Sequence, residues 1–285
     1  MSNVHVIKAS GEKEPFDESK LRRSLARAGA REELIDTITD SVGELLYEGI
    51  TTQKIYREAF RALKKESKRS AGRYKLKEAI RELGPTGYPF EKFVAELLTR
   101  MGYQTQVGVI MKGDCVTHEV DVLATRDQEY YMIECKFHNR KENTCNVKVP
   151  LYIQSRFLDL KKNWMSLPGH EHKSHKGWIV TNTRFTSDAE TYGECVGLKL
   201  LSWDYPKNNG LKDLITRVGL HPVTSLSTLT KQEKEMLLSM DVIFCSQLID
   251  KSELLEKIGM PFRKISRVLK EVSAICTSGT NSSES

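Results

Sequence analysis

The spacing of apolar residues changes period along the chain, and each change predicts an element. Val4 to Lys8 ("VHVIK") alternates and is β-rich, so a short strand is expected, with turn chemistry in "SGEKEPF" after it. From Asp17 the period becomes helical. Leu21, Leu25 and Ala28 precede Gly29, and Leu34, Ile35, Ile38, Val42, Leu45 and Leu46 form a second set. Ile55, Ala59, Phe60 and Leu63 follow a capping threonine. "SAGRYKLKEAIREL" predicts one further short helix. The breaker-rich "GPTGYP" (Gly84–Pro89) closes the segment.

A second segment opens with a helix whose apolar face is Phe93, Val94, Leu97, Leu98 and Met101, followed by the strand "QTQVGVIM". "HEVDVLATRDQEYYMIECKFHN" (118–139) reads as two strands around a tight turn. Then come a basic loop, the helix "LYIQSRFLDLKKNWM", the continuously apolar strand "GWIVTN", the helix "TSDAETYGECVG" and the strand "LKLLSW". The order α-β-β-β-α-β-α-β predicts a mixed α/β domain. From about Tyr205 the chain is leucine-rich and helical, and it ends in the small, polar "CTSGTNSSES". The expected division is a mainly helical domain with a small β-hairpin over 1–85, a mixed-sheet domain over 88–205, an all-α domain over 206–276 and a disordered tail over 277–285.

The hairpin carries chemistry. Val120, Val122 and Ala124 share one face of the first strand, and Glu119 and Asp121 share the other. In the second strand Tyr131, Ile133, Cys135 and Phe137 alternate with Glu134, Lys136 and His138. A turn centred on Arg126-Asp127 sets Asp121 opposite Met132, with Glu134 as its diagonal neighbour. Clustered carboxylates repel, and one is driven toward neutrality unless a cation joins them. Hard oxygen ligands of this kind suit Mg2+ or Mn2+, and a lysine beside such an ion can orient a water or stabilise charge on a phosphoryl group. A solvated hairpin with cross-strand ion pairs is the other reading that these residue types allow.

Composition narrows the class. Of 285 residues, 39% are hydrophobic and 29% charged, the balance of a folded, soluble protein. No window resembles a membrane span or secretory signal, so a cytoplasmic location without a membrane partner is expected. The six cysteines form no C-x-x-C pair, so reduced thiols are expected, with Cys135, Cys195 and Cys245 in apolar contexts. The net charge of +6 is concentrated. Residues 54–82 hold eleven Lys or Arg against four acids, a stretch that can attract a polyanion or simply form a solvated helix face. His170, His172 and His175 lie in one polar loop between a helix and a buried strand.

Asp121, with Glu134-Cys135-Lys136 across a turn, resembles the PD-(D/E)xK nuclease motif. The surrounding stretch, from "GYPFEKFVAELLTRMGYQTQ" to "GWIVTNTRFTSDAETYGECVGLKLLSW", is similar to Mrr-type restriction endonuclease domains over Tyr88 to Trp203. Val120 stands where many members have proline, and the glutamine of the helix after the ExK strand corresponds to Gln154. The resemblance implies a restriction endonuclease-like fold. It implies metal binding by Asp121, Glu134 and the Cys135 carbonyl, a water-positioning Lys136, and a glutamate from the first helix at Glu91, with Glu96 as the alternative.

"VHVIKASGEKEPFDESKLRRSLARAGA", "GITTQKIYREAFRAL" and "SAGRYKLKEAIREL" together resemble an ATP-cone, the nucleotide-binding regulatory domain of ribonucleotide reductases. The aligned nucleotide-contacting positions are Lys8, Glu14, Lys20, Thr52 and Arg81. The family's K-R-D-G is here Lys8-Ala9-Ser10-Gly11. No P-loop is present, so ATP or dATP is expected as an effector and not as a fuel.

The resulting expectation is a Mg2+-dependent (or Mn2+-dependent) DNA endonuclease controlled by ATP or dATP. A nucleotide-responsive DNA-binding regulator on a catalytically silent nuclease fold is the alternative, and RNA is not excluded as substrate. The leucine-rich C-terminal helices offer either internal packing or a homo-oligomer interface, and "LLEKIGMPFRKISRVL" resembles one half of a helix–hairpin–helix.

Overall fold

The computed structural model describes residues 4–8, 11–140, 143–170 and 172–276, and only the backbone of 68, 69 and 73. Ala9, Ser10 and the 277–285 tail, on which expectations were placed above, lie outside the described residues.

In the N-terminal segment, strands β1 (His5–Ile7), β2 (Lys13–Pro15) and β3 (Ile50–Thr51) form a small sheet in the order β2-β1-β3. β1 pairs antiparallel with β2 and parallel with β3. Helices α1 (Glu18–Arg27), α2 (Glu32–Glu44) and α3 (Thr52–Glu66) follow the predicted periods. Asp17 caps α1 by accepting the Ser19 N–H, and Thr51 caps α3 by accepting that of Lys54. Val6, Leu21, Leu25, Ile35, Ile38, Ile50, Ala59 and Leu63 form their common core. The single helix expected next is two, α4 (Lys68–Tyr74) and α5 (Leu76–Arg81).

The middle segment contains α6 (Tyr88–Arg100), β4 (Gln104–Lys112), β5 (Thr117–Arg126), β6 (Glu129–Lys136), α7 (Lys148–Met165), β7 (Ser174–Thr181), α8 (Ser187–Cys195), β8 (Lys199–Leu201) and α9 (Leu211–Val218). Its five strands run in chain order, β4-β5-β6-β7-β8. The β4–β5 and β5–β6 pairs are antiparallel, and β6–β7 and β7–β8 are parallel. This is the mixed sheet that the alternation predicted. Met132, Ile153, Phe157, Leu160, Trp164 and Ile179 share one core cluster of this domain, which joins α7 to the sheet.

Helices α10 (Lys231–Ser239), α11 (Gln247–Asp250), α12 (Glu253–Lys257) and α13 (Phe262–Cys276) complete the chain around Val223, Leu237, Leu248, Leu255, Val268 and Val272. By compactness the chain divides into two units, one made of 1–79 with 221–285 and the other of 80–220. The N-terminal and C-terminal segments are therefore one body. A Cβ on Gly72 of α4 would come within 2.9 Å of Ile275 of α13, so the missing side chain permits this approach. The Thr224 hydroxyl donates to the Ala79 carbonyl at 2.6 Å, and buried Glu271 accepts the N–H groups of Ser227 and Thr228. Burial of the thiols differs from expectation at Cys195, which is exposed on α8, whereas Cys135 and Cys245 are buried.

Ile275 is fully buried. Ile275→Ala should lower the unfolding free energy of the first unit by about 2–4 kcal/mol. Chemical denaturation followed by far-UV circular dichroism would read this, and an unchanged midpoint would mean that α13 is not part of that core.

Candidate active site

The site is built where β5 and β6 part. Their ladder runs from Arg126↔Glu129 to Val122↔Ile133 around a two-residue turn, Asp127-Gln128, with Asp127 in the left-handed region at φ 55°. Leu123, not Asp121, therefore pairs with Met132. The expected register is off by two residues because the turn lies one position further along than Arg126-Asp127. The observed register carries Asp121 directly across from Glu134. Beyond Val122 a side chain takes over from the backbone, since Asp121 Oδ2 accepts the Cys135 N–H at 2.7 Å. On the other side of Asp121, the β4 register brings up Gly108, whose φ of 65° suits glycine.

Glu134 is 5% exposed, yet both its oxygens are held by cations. Lys136 Nζ lies 2.6 Å from Oε1 and Arg156 Nη1 2.5 Å from Oε2. Arg156, from α7, also donates to the Glu119 carbonyl, and its guanidinium lies 5.6 Å from the centre of the Tyr152 ring. Lys136 is held from behind by the Thr181 hydroxyl, which donates to the Lys136 carbonyl at 2.7 Å. Asn182 accepts the His138 N–H and donates to the His138 carbonyl, both at 2.8 Å. The loop at the carboxyl end of β7 thus fixes the last turn of backbone that presents Lys136, at the strand ends where ligands bind in α/β sheets.

Glu91 enters from the first turn of α6, which begins after Gly87 with Tyr88 and Pro89. Phe90 packs on Phe137 with ring centroids 5.6 Å apart, tying this helix end to the end of β6. A Cβ on Gly87 would come within 3.2 Å of Glu91 Oε1. Glu96, the alternative from the same helix, faces elsewhere and pairs with Arg100 at 2.9 Å.

The electrostatics follow from this crowding. Burial pushes the Glu91 carboxyl up to about 7, aided by the charges of Asp121, Glu119 and Glu134. Burial, with Glu134 next, raises Asp121 to about 6, against the Cys135 N–H, Lys136 and Arg156. Glu119 itself is exposed and acts on the site only through its charge and its carbonyl. The donor set is hard oxygen, and two of its acids are held toward neutrality by burial and by their carboxylate neighbours, which suits a divalent cation. Among the described residues no three His, Cys, Asp or Glu side chains are gathered closely enough to hold a metal in this conformation. Both oxygens of Glu134 are already taken by Lys136 and Arg156.

The other expected positions fall as follows. Glu14 gathers Lys8 at 2.8 Å and Lys20 at 3.5 Å, so these three stand together at the β1–β2 hairpin. Thr52 begins α3 one step past the Ile7↔Thr51 pair, as Lys8 is one step past Ile7. Arg81 falls in the other compact unit. His118 is 2.7 Å from Asp159, which also accepts the Cys115 N–H, so it pins the β4–β5 turn. His138 makes long contacts to Cys145 and Asn143. His170 and His175 lie 3.1 Å apart against Tyr130 and Trp164, so that loop is partly built into the core, and only His172 projects outward. Gln154 Oε1 is buried without a hydrogen-bond partner, and the side chain that α7 sends to Glu134 is Arg156. Arg156 was missed from sequence. The available signal was a cation flanking the apolar Ile153–Phe157–Leu160 stripe.

Comparisons with known proteins agree with this layout. Residues 4–79 match the ATP cone domain, 84–205 a restriction endonuclease domain, and 221–276 the domain described as AF1548-like, C-terminal. An uncharacterized protein of Archaeoglobus fulgidus is 38% identical over 183 residues, covering 64% of this chain and 99% of the relative. A crystal structure titled as the protein of unknown function AF1548 is 37% identical, with a TM-score of 0.55, covering 68% of this chain and all of the other.

Because the folded pKa values of Glu91 and Asp121 lie above their unfolded ones, the native state holds protons that the unfolded state has lost. Their contribution to stability is full below about pH 4 and declines as pH rises through 6 and 7. Asp121→Asn keeps an acceptor for the Cys135 N–H and removes one repelling charge. Without added metal it should gain about 1–2 kcal/mol over the parent at pH 8 and almost nothing at pH 4. Urea denaturation at the two pH values is the test, and an equal effect at both would show that the carboxylates do not strain one another.

Proposed function

The chain belongs to the AF1548 family, with a restriction endonuclease-like domain behind an ATP cone, and on that premise we propose that it is a Mg2+-dependent or Mn2+-dependent DNA endonuclease governed by ATP or dATP. The observation that carries this reading is the convergence of Asp121, Glu134 and Lys136, with Glu91 from α6, at the parting of β5 and β6. A hairpin serving only as a binding platform has no need to bury repelling carboxylates where a polyanion would arrive.

In this reading Asp121, Glu134 and the Cys135 carbonyl hold the ion, and Glu91 completes or orients the set. When bound, Mg2+ or Mn2+ supplies Lewis-acid polarisation of the phosphodiester and a more acidic water. Lys136 positions that water and stabilises charge developing on the phosphoryl oxygens. Its ammonium is already aimed by the bond to Glu134, and its backbone by the Thr181 hydroxyl. The Lys8, Glu14 and Lys20 cluster is the proposed triphosphate contact of the cone. In the free protein Glu14 holds Lys8 fully charged, and a nucleotide would compete for the same two lysines.

Plasmid nicking is the test, with Mg2+ or Mn2+, on DNA and RNA, with and without ATP and dATP. Asp121→Ala, Glu134→Ala and Lys136→Ala should each lower the cleavage rate by about 100-fold or more. Lys8→Ala should leave basal nicking intact and blunt the nucleotide response. Salt-dependent DNA binding that survives all three substitutions, with no cleavage under any metal, would instead support the silent regulator.

A further inference from the structure

Arg156 stands between the two ligands that a nuclease must bring together. One arm of its guanidinium neutralises Glu134 at 2.5 Å, and the other donates to the Glu119 carbonyl. Its side chain is 13% exposed, whereas Tyr152, over which it lies, and Glu119 are both exposed. The guanidinium is therefore embedded on its carboxylate side and bordered by the surface on the other. It holds the acid that a metal would need, and its other side borders the surface.

The chemistry of the contact points in one direction. A planar guanidinium fork fits a carboxylate and a phosphate equally well, with two parallel N–H donors to two oxygens. With Lys136 on Oε1 and Arg156 on Oε2, Glu134 has no oxygen free of a cationic partner. A divalent cation arriving alone must break one of these charged hydrogen bonds and enter beside a positive charge. If a phosphate accepts the guanidinium, the same cation meets Glu134 partly released, with the arginine neutralised.

We propose that Arg156 is a positioning residue that couples metal binding to the presence of the phosphodiester backbone. In the free protein it weakens metal binding by holding Glu134. When a backbone phosphate is in place the guanidinium passes from Glu134 Oε2 to phosphate oxygens, and Glu134 turns to the metal. The inference rests on the nuclease reading and adds a reason why the free protein would bind metal more weakly than the DNA-bound one. The coupling is reciprocal, so metal must raise affinity for DNA by the factor by which DNA raises affinity for metal.

The test uses the full-length chain and two measurements. Isothermal titration with Mn2+ alone gives the metal affinity of the free protein. Fluorescence anisotropy of a duplex with phosphorothioate linkages, with and without Mn2+, gives the coupling without cleavage. Arg156→Met keeps the length of the stem and removes the charge. It should bind Mn2+ about tenfold more tightly than the parent in the free protein, as expected when one charged hydrogen bond no longer competes. Its coupling factor should shrink by about the same amount. Arg156→Lys keeps a charge but not the fork and should fall between them. It also serves as the second variant if the methionine form melts early in a thermal scan. Equal Mn2+ affinity and equal coupling in the parent and both variants, in a protein that cuts DNA, would overturn the inference and leave the nuclease reading standing. A parent that neither binds Mn2+ nor cleaves would overturn both.

Discussion

The repulsion among Glu91, Asp121 and Glu134 is the constraint around which the nuclease domain is arranged. Left alone, three carboxylates at the end of one strand pair would open it. Each is instead answered separately. Asp121 accepts the Cys135 N–H, Glu134 is neutralised by Lys136 and Arg156, and Glu91 is held near neutrality by burial at the start of α6. The surrounding architecture serves these answers. Phe90 on Phe137 fixes the helix end, and Thr181 and Asn182 fix the strand that carries Lys136. The result is a site in which one carboxylate is paired with two cations and the other two are held toward neutrality.

The nucleotide-binding half has a comparable logic on a smaller scale. Glu14 collects Lys8 and Lys20, and all three belong to the hairpin and first helix of a sheet only three strands wide. That small domain does not stand alone. Its α4 packs on α13 at Gly72, and its Ala79 carbonyl receives the Thr224 hydroxyl, so the cone and the C-terminal helices share one compact unit.

Much of this was legible in the chain because it is local. The change from period two to period 3.6 marked the strands and helices of the mixed sheet in order, and the carboxylates and lysine of the hairpin announced themselves by alternation. The register was not legible to within two residues. Several turns fit "TRDQ", and only the left-handed Asp127 selects the one that sets Asp121 across from Glu134. The break between α4 and α5 at Lys75 has no proline to signal it, and Gly72 before it lies inside α4. Arg156 was hidden for a different reason. Its role depends on where α7 lies over the sheet, and nothing within twenty residues of it in sequence reveals that Glu134 needs a second cation. The union of the first and third segments is likewise a matter of tertiary packing, which periodicity does not report.

The account's central claim is that a divalent cation sits among these carboxylates. Fe2+ can occupy such an oxygen-ligand site and, with ascorbate and peroxide, cut the polypeptide beside it. Mass spectrometry of the fragments should place the cuts at the start of α6, near Asp121 and along Glu134–Lys136, with Mg2+ suppressing them and Asp121→Asn abolishing them. Cuts confined to other segments, or a pattern indifferent to Mg2+ and to Asp121, would contradict it.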